Sequence, residues 1–105
     1  MAEVGWSITA SADLQELENF IARDSALHAV NFIDRIVESA ERLQNSPQLG
    51  RVVLEFGRTD IRELIFNAYR IVYLFRNDKV SILRVVHGAR DLADLVRKEP
   101  WEISE

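Results

Sequence analysis

Residues 61–91, IRELIFNAYRIVYLFRNDKVSILRVVHGARD, decide the fold. Three short runs rich in Ile, Val, Tyr and Phe are separated by Asn67-Ala68 and by Asn77-Asp78. Apolar runs of this length, broken by turn-forming pairs, predict consecutive antiparallel strands joined by tight hairpins. Three strands with one apolar face make a small sheet that holds its shape when a helix covers it. Arg62, Arg70 and Arg84 lie inside these runs. A guanidinium in a half-buried strand has to be paired or to face an anion.

The hairpin at Asn77-Asp78 sets the expected companions of each strand residue. If Arg76 lies opposite Lys79, regular pairing places Arg70 opposite Val85. Arg70 then shares a face with Val72, Leu74, Leu83 and Val85, and His87 is its diagonal neighbour. The other face holds Tyr69, Ile71, Tyr73, Phe75, Ile82, Arg84 and Val86. Its aromatic content marks it as the face that receives helices, with Arg84 needing a partner at the margin. A slip of one residue would exchange these companions.

Working outward toward the N-terminus, residues 46–60, SPQLGRVVLEFGRTD, form a connector punctuated by Pro47, Gly50 and Gly57, in which 51–56 suits a short strand or an ordered crossing. Before it, residues 26–45 carry the cleanest helical period. Ala26, Ala29, Val30, Ile33, Ile36, Val37, Ala40 and Leu43 make one stripe, with Asn31, Asp34, Arg35, Glu38, Glu41 and Arg42 opposite. The Val30, Ile33, Val37 and Ala40 edge is expected to pack on the sheet, and Phe32 either widens that face or is exposed for a partner. In residues 12–23, Leu14, Leu17, Phe20 and Ile21 recur at helical spacing, with Ser11 or Asp13 as cap. The two-residue break at Asp24-Ser25 forces an antiparallel helical hairpin. His28 reads as a surface histidine. Residues 4–10 suit an opening strand. Beyond the sheet, residues 91–98 predict a short helix that starts at Asp91 and stops at Pro100, followed by an acidic tail with Trp101 and Ile103 as anchors. The fold class is therefore α+β: an N-terminal strand and a two-helix hairpin on a small, mainly antiparallel sheet, closed by a short helix.

The 105 residues predict a single domain, 1–105, large enough to fold without a staple. The absence of cysteine excludes disulfides and thiolate metal sites, and with His28 and His87 alone no ligand spacing suggests zinc, so no metal or cofactor is expected. No basic region followed by an apolar run opens the chain, and no apolar run approaches the roughly 20 residues of a membrane span, which predicts a cytoplasmic protein without membrane contact. The net charge of −4 is unevenly spread. Residues 1–50 carry three arginines against eight acids, residues 51–90 carry seven arginines and Lys79 against four acids, and residues 91–105 carry two basic groups against five acids. The sheet segment is thus basic within an acidic chain, and its cations are nearly all Arg, the side chain suited to bidentate contact with carboxylate or phosphate.

The order strand, helical hairpin and three-strand meander, with YRIVYLF on the middle strand and ILRVVHGARDL on the last, resembles the RelE/ParE superfamily of toxins from type II toxin–antitoxin modules. SADLQELENFI at the first helix is similar as well, so the resemblance runs over essentially the whole chain. It implies a plasmid-stabilisation toxin that is neutralised by a cognate antitoxin and that acts on DNA gyrase in the ParE-like branch, or on ribosome-bound mRNA in the RelE-like branch. A third possibility is a degenerate member that only binds antitoxin. For RNA cleavage, Arg70 matches the phosphate-clamping arginine, His87 sits where some of the nucleases carry a histidine, and Glu55 or Glu63 is the candidate base. The nucleases place a tyrosine or another acid–base group just after the last strand, where this chain has Gly88-Ala89, and residues 51–60 contain no Lys. The HGARD form is closer to the ParE-like branch. Arg62, Arg70, Arg84, His87 and Arg90 are the candidates for contact with target or antitoxin, the antitoxin being expected over the sheet and last helix. Structural duties compete with these roles: His87 bonding a backbone carbonyl or Asp91, Arg90-Asp91 forming a local ion pair, and Arg70 and Arg84 holding an acidic antitoxin segment.

Overall fold

A computed structural model describes residues 1–99 and Trp101. Strand β1 (Glu3–Trp6) leads into helices α1 (Ile8–Ala22) and α2 (Ala26–Glu41), the latter ending in a 3-10 turn at Arg42–Gln44. The connector contains β2 (Arg51–Val52) and a second 3-10 turn, Leu54–Phe56. Strands β3 (Ile61–Phe66), β4 (Tyr69–Arg76) and β5 (Lys79–His87) form the meander, and α3 (Leu92–Lys98) follows. The sheet order is β1-β5-β4-β3-β2, with β1 parallel to β5 and the other pairs antiparallel. The expected α+β architecture is the one observed. The segment 51–56 is both of the expected alternatives, a two-residue strand and then an ordered turn.

Both hairpins turn where the sequence places them. Asn77 and Asp78 take φ of 54° and 58°, the left-handed pair that a two-residue hairpin needs, and Asn67 takes 50°. Asn and Asp tolerate this region better than other residues with a Cβ.

The sheet is covered on both sides. The helical hairpin packs on Ile71, Tyr73, Val80, Ile82 and Val85 through Ala10, Leu17, Ile36, Ala40 and Leu43. On the opposite face Leu92 and Leu95 of α3, with Val53 of the connector, pack on Ile61, Val72, Leu74, Leu83 and Val86. Three details of the hairpin differ from expectation. The opening strand stops at Trp6, because Ser7, in extended geometry, caps α1 through an Oγ that accepts from Ala10 N–H at 2.9 Å. Neither Ser11 nor Asp13 is the cap. Of the expected α2 edge, Ala40 is buried and Ile33 packs against the core, but Val30 is 46% exposed, and Ala29 and Ile36 are buried beside them. Phe32 widens the buried face, meeting Phe66 and Tyr69 edge-on at 5.4 and 6.0 Å. Phe20, placed on the α1 apolar stripe by its spacing, is exposed beneath Arg23. Ser25, at the break between the helices, caps α2, and Asp91 caps α3 as expected. The Pro100 stop and the Ile103 anchor lie outside the described residues, while Trp101 packs edge-on against Phe56 at 5.4 Å.

Strand β5 corrects the expected register. Tyr73 lies opposite Ile82 and Arg76 opposite Lys79, as regular pairing from the turn requires, but Val72 lies opposite Arg84. Leu83 is therefore an extra residue, a β-bulge. Past this point every partner moves by one: Arg70 faces Val86 rather than Val85, and His87 faces Tyr69. Val85 joins the hairpin side of the sheet, and Val86 and Arg84 leave it.

The bulge forms where β5 loses its strand neighbour. Strand β1 covers β5 only from Lys79 to Ile82. Beyond that, the N-terminal half of α1 satisfies the strand edge. Ser7 N–H donates to Ile82 O and Ser7 Oγ–H to Leu83 O, each at 2.9 Å, and Val85 N–H donates to Asp13 Oδ2 at 2.9 Å. Unpaired backbone groups at a bulge are costly unless other donors and acceptors replace the ladder.

The connector is pinned from beneath by Tyr73. Its buried hydroxyl donates to Pro47 O at 2.8 Å and accepts from Gly50 N–H at 2.9 Å, and burial pushes the phenol above its usual pKa, so it stays a donor. A Cβ on Gly50 would lie 2.6 Å from Glu63 O and 2.7 Å from the Tyr73 ring, so only glycine permits this approach. The connector's far end is tied down by Asp60, which accepts from Arg58 and Arg76, each at 2.7 Å.

Two outcomes are expected. Ile36→Ala should cost about 2–4 kcal/mol as a buried truncation, and Val30→Ala no more than about 0.5 kcal/mol, in paired urea melts. The arginines, Arg58 foremost, pull Asp60 from 3.8 to about 2. A carboxyl with a depressed folded pKa contributes stability above its unfolded pKa and loses it as the pH falls through the folded one. Asp60→Asn should therefore lower the melting temperature at about pH 6, with the difference closing as the pH approaches about 2.

Candidate functional site: the Arg70 cleft

On the α3 side of the sheet, beside the short β2, is an open cleft of about 350 Å³ lined by Arg51, Val52, Leu54, Glu55, Glu63, Ile65, Arg70 and Gly88. Its floor is set by strand alternation. Glu63 on β3 and Arg70 on β4 point to the same face because each is paired with a residue of that face, Val72 and Val86. Glu63 is only 4% exposed. It accepts from Arg51 Nε at 2.9 Å through Oε2 and from Arg70 Nε through Oε1. Two guanidinium donors on one buried carboxylate meet the condition under which a buried charge is tolerated.

Arg70 is fully engaged. Beyond Nε on Glu63, its Nη1 and Nη2 donate to Glu55 Oε2 and Oε1 at 3.1 and 3.2 Å, a planar two-pronged pairing. Burial opposes the charge on Arg70, but the bonds to Glu55 and Glu63 outweigh it and hold the guanidinium above its ordinary pKa. The same contact from Arg70 holds the Glu55 carboxyl below the usual range. Glu55 reaches the cleft from the 3-10 turn between Val53 and Gly57. The rim is apolar and exposed, with Leu54 at 87% and Ile65 at 54%.

Of the sequence candidates, the structure brings Arg70, Glu55 and Glu63 together. It sends His87 elsewhere. The bulge turns His87 to the hairpin side, where its ring meets Tyr69 edge-on at 5.4 Å. Its Nδ1 accepts from Ala89 N–H at 3.1 Å, in place of the expected bond to a carbonyl or to Asp91. His87 lines a second depression with Asp13, Glu16, Tyr69, Arg84, Arg90 and Glu99. There Arg84 is buried and paired, with Nε and Nη2 donating to Asp13 at 2.8 and 3.0 Å and Nη1 to Glu99 at 3.0 Å. The hydrogen bond to Asp13 raises its pKa above the ordinary arginine value. Asp13 is thus the partner at the sheet margin that Arg84 requires. Arg90 lies 3.8 Å from Glu99, so its ion pair is with Glu99 rather than Asp91. Arg62 belongs to neither site, its Nη1 donating to Gly50 O at 2.8 Å.

Two participants escaped the sequence reading. Arg51 had only its place beside an apolar run to mark it. Gly88 was visible as a missing side chain, but not where that side chain would point. A Cβ there would lie 3.2 Å from Ala68 O and 3.8 Å from Arg70 Cγ, at the wall of the cleft. Among the described residues no cluster of His, Asp and Glu has the geometry to hold a metal ion, and no helix is long and apolar enough to cross a membrane.

A parallel N-terminal strand, a helical hairpin on one sheet face and a short helix on the other form the fold of the RelE/ParE superfamily toxins. The family model described as the ParE toxin of the type II toxin–antitoxin system parDE matches residues 4–92, and the chain belongs to that family. It is 33% identical over 91 residues to Toxin RelE2 of Caulobacter vibrioides, covering 86% of this chain and 99% of that protein. Its fold is similar to a chain of the chromosomal ParDE system from P. aeruginosa, with a TM-score of 0.70 at 20% identity over 83% of this chain and 96% of that one. It is also similar to a chain of the toxin–antitoxin complex RelBE2 from Mycobacterium tuberculosis, with a TM-score of 0.59 at 25% identity over 85% and 93%. The chain is thus a type II toxin-family protein, and its structural neighbours come from toxin–antitoxin systems.

Removing Arg70 leaves a buried carboxylate with one guanidinium in place of two. Arg70→Ala should cost about 3 kcal/mol, the low end for breaking a buried pair because Arg51 remains. Arg70→Ala combined with Glu63→Gln should recover at least about 1 kcal/mol of that loss in a denaturant double-mutant cycle.

Proposed function

We propose that this protein is a ParE-like toxin that inhibits DNA gyrase by surface binding and is held inactive by a cognate antitoxin. The observation that carries the choice of mechanism is the composition of the Arg70 cleft. Cleavage of RNA through a 2′-hydroxyl needs a base for that hydroxyl, an acid for the leaving 5′-oxygen and cations for the charge that builds on phosphorus. The cleft offers two guanidinium cations, Arg51 and Arg70, and two carboxylates. Glu55 lies below the usual carboxylate pKa range, which makes it a poor proton donor at neutral pH. The imidazole of His87 is on the other face, and at the position after β5 a glycine wall stands beside Arg70 in place of an acid–base side chain. Inhibition by complementarity requires none of these proton carriers.

The membership in the ParE family supports the same choice. Both the antitoxin and the gyrase are partners expected of that family, as are growth inhibition and plasmid stabilisation. The competing reading, cleavage of ribosome-bound mRNA, is favoured by the convergence of Arg70 with Glu55 and Glu63, which supplies a phosphate clamp and a base without the acid.

The test separates surface binding from proton transfer. His87→Gln keeps a hydrogen-bonding side chain of similar reach but cannot serve as an imidazole acid or base. Induced in cells, the variant should arrest growth as the parent does, and both should alter DNA supercoiling without message cleavage. A nuclease relying on His87 would lose roughly 10²–10⁴-fold in cleavage rate. Message cleavage by the parent without altered supercoiling overturns the proposal, and loss of toxicity in a His87→Gln variant with an unchanged melt and intact antitoxin binding would in addition place His87 in that cleavage.

A further inference from the structure

The Arg70 cleft is arranged as a receptor for a planar anion, and the chain itself fills it. Arg70 is aimed from behind by the buried Glu63, which holds Nε and is itself fixed by Arg51. This leaves Nη1 and Nη2 as a fork pointing outward, and both prongs are taken by the two oxygens of Glu55. The floor and the occupant differ in how firmly they are held. Glu63 sits in the middle of a paired strand and is buried, whereas Glu55 stands on a three-residue 3-10 turn with its side chain 35% exposed. Glu55 is open to solvent on one side whereas Glu63 is not, so of the two carboxylates Glu55 is the one that a competing carboxylate can reach and replace.

We infer that Glu55 is an internal stand-in ligand, and that the Arg70 cleft is a site for an acidic side chain of an extended peptide, which enters by displacing it. Three observations fix the class of ligand. With Glu55 in place, Arg51 and Arg70 are balanced by Glu63 and Glu55, and its departure leaves the cleft one positive charge in excess. The present occupant is a carboxylate seated on both prongs, so a second carboxylate replaces it without rearranging the floor. The rim is apolar, with Leu54 and Ile65 exposed on either side, which suits side chains flanking an acid in a peptide better than a nucleic-acid backbone. The neighbouring strand edge adds to this. Among the described residues β2 pairs with β3 only at Arg62 and Glu63, so the β3 edge at Leu64–Phe66 has no strand beside it. An extended segment laid along that edge brings its side chains to the cleft. The inference deepens the antitoxin half of the proposed function, and rests on that reading only for where such a peptide comes from.

The experiment uses the full-length free protein and neither antitoxin nor gyrase, so its failure is separate from failure of the gyrase reading. Binding of the blocked tripeptide Ac-Leu-Glu-Leu-NH2 is followed on the Arg70 Nε–H resonance by ¹⁵N NMR. The controls are Ac-Leu-Gln-Leu-NH2 and inorganic phosphate. Glu55→Gln keeps the shape of the stand-in without its charge, and Glu55→Ala removes it. The Glu tripeptide should shift the Arg70 signal and bind about tenfold or more tightly to both variants than to the parent, as expected when a self-occupied fraction is released. The Gln tripeptide should leave the signal in place. Equal affinity for parent and variants overturns the stand-in role. Phosphate binding more tightly than the Glu tripeptide, or equal binding of the Gln and Glu tripeptides, overturns the assignment of an acidic peptide. A melt of Glu55→Gln lowered as far as that of Arg70→Ala makes Glu55 a structural pair and overturns the inference as well.

Discussion

The contact between Asp13 and β5 governs the functional geography of this protein. One carboxylate accepts from the backbone N–H of Val85 and from two nitrogens of Arg84. Together with Ser7 on Leu83 O, it replaces the ladder that β1 ceases to provide after Ile82. The strand can then carry one extra residue, Leu83, without orphaned backbone groups. Because side chains alternate with a period of two, that residue reverses the face of everything after it. Arg70 and His87, which regular pairing would set on one face, end on opposite faces.

The consequence is two separate polar sites. At the margin of β5, between α1 and the end of α3, Tyr69, His87, Arg84 and Arg90 line a depression whose cations already have carboxylate partners in Asp13 and Glu99. On the α3 side, the cleft gathers Arg51, Arg70, Glu55 and Glu63. The first resembles a structural brace, since its buried arginine fastens α1 to β5 and carries Trp101 over its guanidinium at 5.5 Å. The second has a buried floor in Glu63 and one solvent-open member, Glu55, whose segment is fastened at both ends. Tyr73 holds the connector at Pro47 and Gly50, and Asp60 holds it at Arg58 and Arg76. The connector therefore presents Glu55 at a fixed reach from Arg70.

The basic character of residues 51–90 takes on a different meaning in three dimensions. Seven arginines and one lysine in that stretch suggest an anion-binding surface. Most of the arginines are instead neutralised internally: Arg51 and Arg70 on Glu63, Arg58 and Arg76 on Asp60, Arg84 on Asp13 and Glu99. Arginine recurs because its fork reaches two acceptors at once, which a lysine ammonium does not do in one plane. The sheet segment therefore does not present an open field of positive charge, and under the inference drawn above recognition exchanges one carboxylate for another.

The sequence by itself determined the element order, both hairpin turns and the aromatic-rich face that receives the helices. These follow from local rules: left-handed Asn and Asp at the turns, β-branched and aromatic runs between them, and a 3.6-residue stripe in α2. It marked Arg70 as a guanidinium that needs a partner or an anion, and the resemblance to the toxin family marked Arg70, Glu55 and Glu63 as candidates. The sequence put Val30 on the buried edge of α2, where the structure leaves it exposed and packs Phe32 inward, because that choice depends on what Phe66 and Tyr69 present to the helix. Only the tertiary structure decided the register past Tyr73. A bulge has no signature of its own in ILRVVHG; it depends on Ser7 and Asp13, more than 70 residues away, supplying the missing hydrogen bonds. That long-range contact settles which of the sequence candidates share a site.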